Sequence, residues 1–162
     1  MTPILQVKNL QTHFFTKAGV LKAVDGVSFE IGAGEIVGLV GESGSGKSIT
    51  GFSILGLVDA PGRIVGGQIL FKGRDMTSIP PAEMQKLRGS RIAMIFQDPM
   101  MTLNPVLRIE TQMIESILTH DSSISKEEAR QRSRDTLGLV GISSPEERMR
   151  AYPHQFSGGM RQ

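Results

Sequence analysis

The 162-residue chain carries 18 Lys and Arg against 16 Asp and Glu, a net charge of +2, with 39% hydrophobic and 21% charged residues. Those proportions describe a soluble globular domain with a real core, and exclude a disordered chain or one dominated by a basic nucleic-acid-binding field. With no cysteine, disulfides, Cys-ligated zinc and iron–sulfur clusters are excluded.

Residues 1–10 lack a basic start followed by an apolar stretch, so they do not read as a signal peptide. The longest uncharged apolar stretch, residues 48–58, is far shorter than the roughly 20 residues of a membrane-spanning helix. Any membrane role must then come through a partner. Glycine is abundant, 19 of 162 residues, which points to unusual backbone angles or close approaches.

In chain order, residues 4–10 alternate as a half-buried strand does, and residues 12–15 extend it. After a turn at residues 17–19, residues 24–31 read as a second strand, antiparallel to the first because the connection is short. Residues 36–40 (IVGLV) are apolar throughout, as in a parallel strand covered on both faces. A glycine-rich loop follows at 41–46. Residues 47–58 read as a helix with Phe52, Ile54, Leu55 and Val58 facing inward.

Residues 59–67 read as a loop, 68–71 as a short strand, 81–88 as a helix with a first-turn proline, and 91–96 as a strand ended by Pro99. The remainder reads as helical: residues 109–118, then a helix from a Ser125/Glu128 capping box to about Leu139. A short third helix is signalled by Ser144, Pro145 and Glu147. The layout is β-rich, then α/β, then helical.

Residues Gly41-Glu42-Ser43-Gly44-Ser45-Gly46-Lys47-Ser48 match the phosphate-binding pattern G-x-x-x-x-G-K-[ST]. Glycines let the backbone curl so that successive N–H groups face phosphate oxygens. Lys47 would place its charge on the β- and γ-phosphates, and Ser48 could ligate Mg²⁺. The helix beginning there adds the positive end of its dipole. The alternative, a flexible Gly/Ser loop, is disfavoured because the motif follows a buried-type strand and opens a helix. The far end carries Phe156-Ser157-Gly158-Gly159-Met160-Arg161-Gln162. Alone, that Ser-Gly-Gly reads as a turn, or as a second anion nest at a helix start. Gln97 at a strand end reads as a solvated loop residue, or, at the mouth of a phosphate site, as one reaching Mg²⁺ or water.

Taken together, GESGSGKS, Gln97 in IFQDP, and FSGGMRQ resemble the Walker A motif, Q-loop and signature of an ATP-binding-cassette (ABC) transporter ATPase. GRIVGGQILFKGRDM, IFQDPMMTLNP and YPHQFSGGMRQ narrow the resemblance to the ATP-binding subunits of the peptide-importer branch, dipeptide-type, whose relatives also serve oligopeptides, nickel and glutathione. The resemblance covers residues 4–162. It implies an α/β P-loop NTPase core with an N-terminal antiparallel β subdomain and a helical subdomain, divided here as 1–96 and 97–162.

By the same resemblance, Gly41, Glu42, Ser43, Gly44, Ser45, Gly46, Lys47, Ser48 and Ile49 would hold ATP, with Ser48 and Gln97 on Mg²⁺. Lys47 and Gln97 would serve the chemistry, Gln97 through the metal or the attacking water. Phe14 would stack on adenine, with Phe15 the next candidate and a core phenylalanine the alternative. Ser157, Gly158 and Gly159 would face the γ-phosphate held by a second ATP-binding subunit, in a homo- or heterodimer. The implied partners are transmembrane permease subunits, towards which Met100 and Met101 would lie, and indirectly an extracytoplasmic solute-binding protein. The implied place is the cytoplasmic face of a bacterial inner membrane.

The family's pattern continues past the signature with a helix, the Walker B strand ending in Asp and Glu, and a switch histidine, none of which is found in residues 1–162. The expectation is a piece of a longer protein, with residues 1–162 alone folding poorly and inactive in hydrolysis. The alternative function is a nucleotide-binding module without hydrolysis. His13, His120 and His154 lack metal spacing, and Arg130, Arg132 and Arg134 lie among acids as a solvated helix face, so neither a histidine metal site nor nucleic acid is expected.

Overall fold

The computed structural model describes residues 3–96 and 102–161. The chain divides into two compact units, with the boundary between Ile92 and Ala93.

The first unit is built on a four-stranded antiparallel sheet in the order β2-β1-β3-β4. Strands β1 (Leu5–Thr16) and β2 (Gly19–Ile31) form the expected hairpin. β3 (Gly62–Phe71) pairs along the other edge of β1, and the two-residue β4 (Arg74–Asp75) follows it. β3 is longer than the sequence suggested, because residues 62–67, read as loop, find ladder partners from Gln11 to Phe14. Two elements lie on this sheet. Helix α1 (Lys47–Ile54) contributes Ile49 and Ile54, and α2 (Pro81–Leu87) contributes Met84 and Leu87. The core they cover consists of Val7, Leu10, Val24, Ile69, Met76 and Met84. Leu10 and Ile69 are fully buried, each worth about 1.5–3 kcal/mol.

Two predicted strands are absent. Residues 36–40 have no ladder partners, and Ile36 is 98% and Val40 90% exposed. Residues 91–96 form only an isolated bridge between Arg88 and Ile92, with Ile95 exposed. Apolar composition makes a strand possible, but strand geometry needs a neighbour to take its N–H and C=O groups, and no described residue supplies one. Helix α1 is also shorter than residues 47–58; Ile54 and Leu55 face inward as expected, but two small hydroxyl residues share that face. Its buried residues are Thr50 and Ser53, followed by Leu55 at the cap, whereas Phe52 is half-buried.

The second unit is helical: α3 (Ile109–His120), α4 (Lys126–Leu139), α5 (Pro145–Arg150), a 3-10 turn (Pro153–Gln155) and α6 (Gly158–Arg161). Ile109, Ile114, Ala129, Leu137, Met149 and Phe156 are buried in it. The capping box of α4 forms as the sequence implies, with Ser125 Oγ accepting from the Glu128 N–H and the Glu128 carboxylate accepting from the Ser125 N–H at 2.7 Å. The box expected at Ser144 does not form. Ser144 adopts a left-handed conformation and makes no side-chain cap, and only its carbonyl serves the helix. Arg130 on α4 joins the helices by pairing with Glu146 of α5 and Glu110 of α3. Among the described residues no helix is long and apolar enough to cross a membrane.

Candidate phosphate-binding site

The loop at residues 41–46 leads into the first turn of α1, and residues 41–45 are exposed. Gly46, the residue before α1, has φ +93°. A Cβ there would collide with the Ala23 carbonyl oxygen of β2, so both backbone angle and space demand glycine. This contact fixes where the loop meets the sheet. The loop closes on itself through Ser45 N–H to Glu42 O at 3.2 Å.

Lys47 curls back over the loop. Its Nζ donates to Gly41 O at 2.8 Å and to Glu42 O at 2.6 Å, with Ser45 Oγ at 3.4 Å. The ammonium is therefore held at the loop by neutral carbonyls, which an anion can replace. The first bond of the α1 ladder runs from Thr50 N–H to Gly46 O at 2.8 Å, which leaves the N–H groups of Lys47, Ser48 and Ile49 ahead of that ladder. Ser48 is exposed at the same turn. Three N–H groups ahead of the ladder, a lysine held at the loop by two carbonyls, and the Ser48 hydroxyl fit a polyphosphate with its cation. Gln97, Met100 and Met101 lie outside the described residues.

Behind the loop, α1 is fastened to β1 by a buried hydrogen bond. Ser53 Oγ donates to Ile49 O at 2.7 Å, which leaves Thr12 Oγ1 to donate to Ser53 Oγ at 2.8 Å. Thr12 and Ser53 are essentially inaccessible to solvent. The sequence reading missed this pair. The available signal was two small hydroxyls at core-facing positions, but nothing local pairs residues 41 apart.

Phe14 is half-buried, with its ring over Gly62, where a Cβ would collide with it. Its cross-strand partner on β2 is Leu21, two residues from Ala23. Phe15 is more exposed, and its ring carries the Arg63 guanidinium at 4.2 Å. In the second unit Ser157, Gly158 and Gly159 are all exposed at the start of the four-residue α6. Arg161 Nε donates to Pro153 O at 2.8 Å and so ties α6 to the preceding 3-10 turn.

Comparison with known proteins agrees with this arrangement. Residues 24–162 match the family described as ABC transporter. The chain is 50% identical over its whole length to the oligopeptide transport ATP-binding protein AppD of Bacillus subtilis, of which it covers 49%. It is 45% identical to the dipeptide transport ATP-binding protein DppD of Escherichia coli, with 98% of this chain and 48% of that protein aligned. The chain spans about half the length of the curated relatives it matches. Among solved structures, a dimeric post-hydrolysis ATP-binding cassette bound to ADP and Pi superposes with a TM-score of 0.84 at 24% identity, over 97% of this chain and 65% of that one. That likeness establishes the α/β cassette fold. The family match, the full-chain identity and the loop at 41–48 together place this chain in the ABC transporter family.

Proposed function

We propose that this chain is the ATP-binding part of an importer for di- or oligopeptides or a related solute, and that it binds ATP with Mg²⁺ at residues 41–49. The observation that carries this reading is Lys47, bridged to Gly41 O and Glu42 O at the mouth of a loop whose N–H groups precede the α1 ladder. The names of the relatives support the transported class.

Mg²⁺, which Ser48 and Gln97 would hold, would supply positive charge that offsets that of the phosphates. The chain's own residues do the rest. Gly41 to Gly46 curl so that N–H groups face the phosphates. Lys47 exchanges its carbonyl partners for phosphate oxygens, and Ser48 offers its hydroxyl to the cation. Gln97 is the proposed second contact to the cation or the attacking water. Phe14 is the proposed adenine platform. Ser157, Gly158 and Gly159 are the proposed contacts to nucleotide held by a second ATP-binding subunit, residues 1–96 and 97–162 being the proposed core and helical divisions. The proposed partners are permease subunits, served by an extracytoplasmic solute-binding protein, with this chain peripheral on the cytoplasmic face of the membrane. On this reading, hydrolysis by residues 1–162 alone would be absent.

Uptake of labelled dipeptides and short oligopeptides by the native cell tests the function. Replacing the chromosomal allele with Lys47→Ala should stop uptake of the transported class. Unchanged uptake of both classes, with the variant protein present at normal level, would reject the importer assignment.

A further inference from the structure

The far end of α1 is closed by two devices. Gly56 adopts φ +61° and completes a Schellman motif, its N–H donating to Ser53 O at 3.1 Å and the Leu57 N–H to Phe52 O at 2.8 Å. The carbonyls of Leu55 and Gly56 are taken by a side chain from α2's end. Arg88 Nε donates to Leu55 O at 2.7 Å, and Arg88 Nη2 donates to Gly56 O at 2.6 Å. Arg88 is itself held in place. Its N–H donates to Met84 O at 3.0 Å, Gly89 N–H donates to Ile92 O at 2.9 Å, and Arg91 and Ile92 both donate to Leu87 O. Met84, one turn earlier, is buried in the core and lies beside Gly56.

A fixed cation thus sits at the negative end of the helix whose positive end carries the loop 41–46. The helix has eight residues, so about 12 Å separates its ends and it moves as one piece. Its sideways position is set by Ile49 and Ile54 against the sheet core. Apolar contacts are non-directional and resist sliding along the helix axis poorly. Beside the Thr12–Ser53 bond and the Gly46 contact with β2, two hydrogen bonds from a planar, pre-organised guanidinium hold that coordinate at the far end, with a geometry a lysine ammonium cannot reproduce.

We propose that Arg88 is a positioning residue for phosphate binding. It secures the far end of α1 against axial movement, and through it helps place Lys47 and the N–H groups of the first turn, while its charge complements the helix dipole that a bound phosphate also engages. This inference rests on the phosphate-binding reading of residues 41–49.

The test uses the protein as its gene encodes it, with ATP and inorganic pyrophosphate as separate probes in titration calorimetry, beside thermal unfolding of the ligand-free protein. Arg88→Met should raise Kd at least about fivefold for both probes at a temperature where the variant is folded. Arg88→Lys, which keeps the charge without the fork, should raise both about two- to threefold. A cap that serves only the fold would lower the unfolding temperature and leave both Kd values within twofold of wild type, which overturns the proposal. A loss confined to ATP also overturns it, because pyrophosphate touches only the loop. Should Arg88→Met not fold, Arg88→Lys decides by the same criteria. Lys47→Ala separates the two readings: if it binds pyrophosphate as wild type does, the phosphate site itself is wrong and the Arg88 proposal falls with it.

Discussion

Gly46 is the position where residue chemistry and architecture meet most closely. Its positive φ excludes most side chains, and the Ala23 carbonyl excludes the rest. A left-handed L-residue costs about 1–2 kcal/mol before any clash. Gly46→Ala is therefore expected to destabilise the first unit by more than that and to weaken nucleotide binding, since the loop can relieve the clash only by leaving β2. Denaturant unfolding and an ATP titration on the same variant check both effects. Wild-type stability would show that the loop does not rest on β2. The Thr12–Ser53 bond is a second case. Thr12→Val and Ser53→Ala, singly and together, should give a coupling energy of about 1 kcal/mol in unfolding, because each single change leaves a buried hydroxyl with one partner fewer.

At the scale of elements, the capped helix α4 carries a pH dependence with a definite sign. Glu128 titrates below its ordinary value of 4.5, first because the Ser125 N–H donates to its carboxylate and then because the Ser125 hydroxyl does. Glu146 is lowered chiefly by its hydrogen bond from Arg130, and Asp121 chiefly by that from Ser123. A carboxylate whose folded value is depressed stabilises the fold above its unfolded value and loses that contribution as pH falls through the folded one. The helical unit should therefore hold above about pH 4.5 and loosen progressively below it. Glu128→Gln should flatten the part due to the box, as followed by helical circular dichroism between pH 6 and 2.

How much of each element was legible in the sequence follows from how local its cause is. The box at Ser125 depends on residues three apart and was readable, as was the glycine-rich loop at 41–46 opening a helix at Lys47. The β1–β2 hairpin was readable because its turn is short. Residues 36–40 and 91–96 were misread as strands because composition speaks to burial, whereas a strand also needs a neighbour. Residues 62–67 were misread the opposite way, since their partners lie some 50 residues earlier in β1. Arg88 gave no sequence signal, because the carbonyls it holds lie 32 and 33 residues away.

For the molecule as a whole, the bare stretch at 36–40 has a consequence in solution. Ile36, Val37, Leu39 and Val40 are all exposed, and exposed contiguous apolar surface recruits partners or aggregates. A protein comprising residues 1–162 is expected to bind a hydrophobic dye and to associate as concentration rises. Ile36→Thr with Val40→Thr should reduce both. Light scattering that stays flat with concentration, in wild type and variant alike, would show that this stretch is covered in solution.

The claim on which the rest depends is that residues 41–49 hold the phosphates of ATP through Lys47. The most direct measurement is calorimetric titration of ATP with Mg²⁺ into the wild-type protein and into Lys47→Ala. The account predicts saturable binding at one site per chain, weakened about 10- to 100-fold or more by the substitution, the loss expected for a charge-assisted hydrogen bond. Absence of saturable binding, or equal affinity in the two proteins, would contradict it.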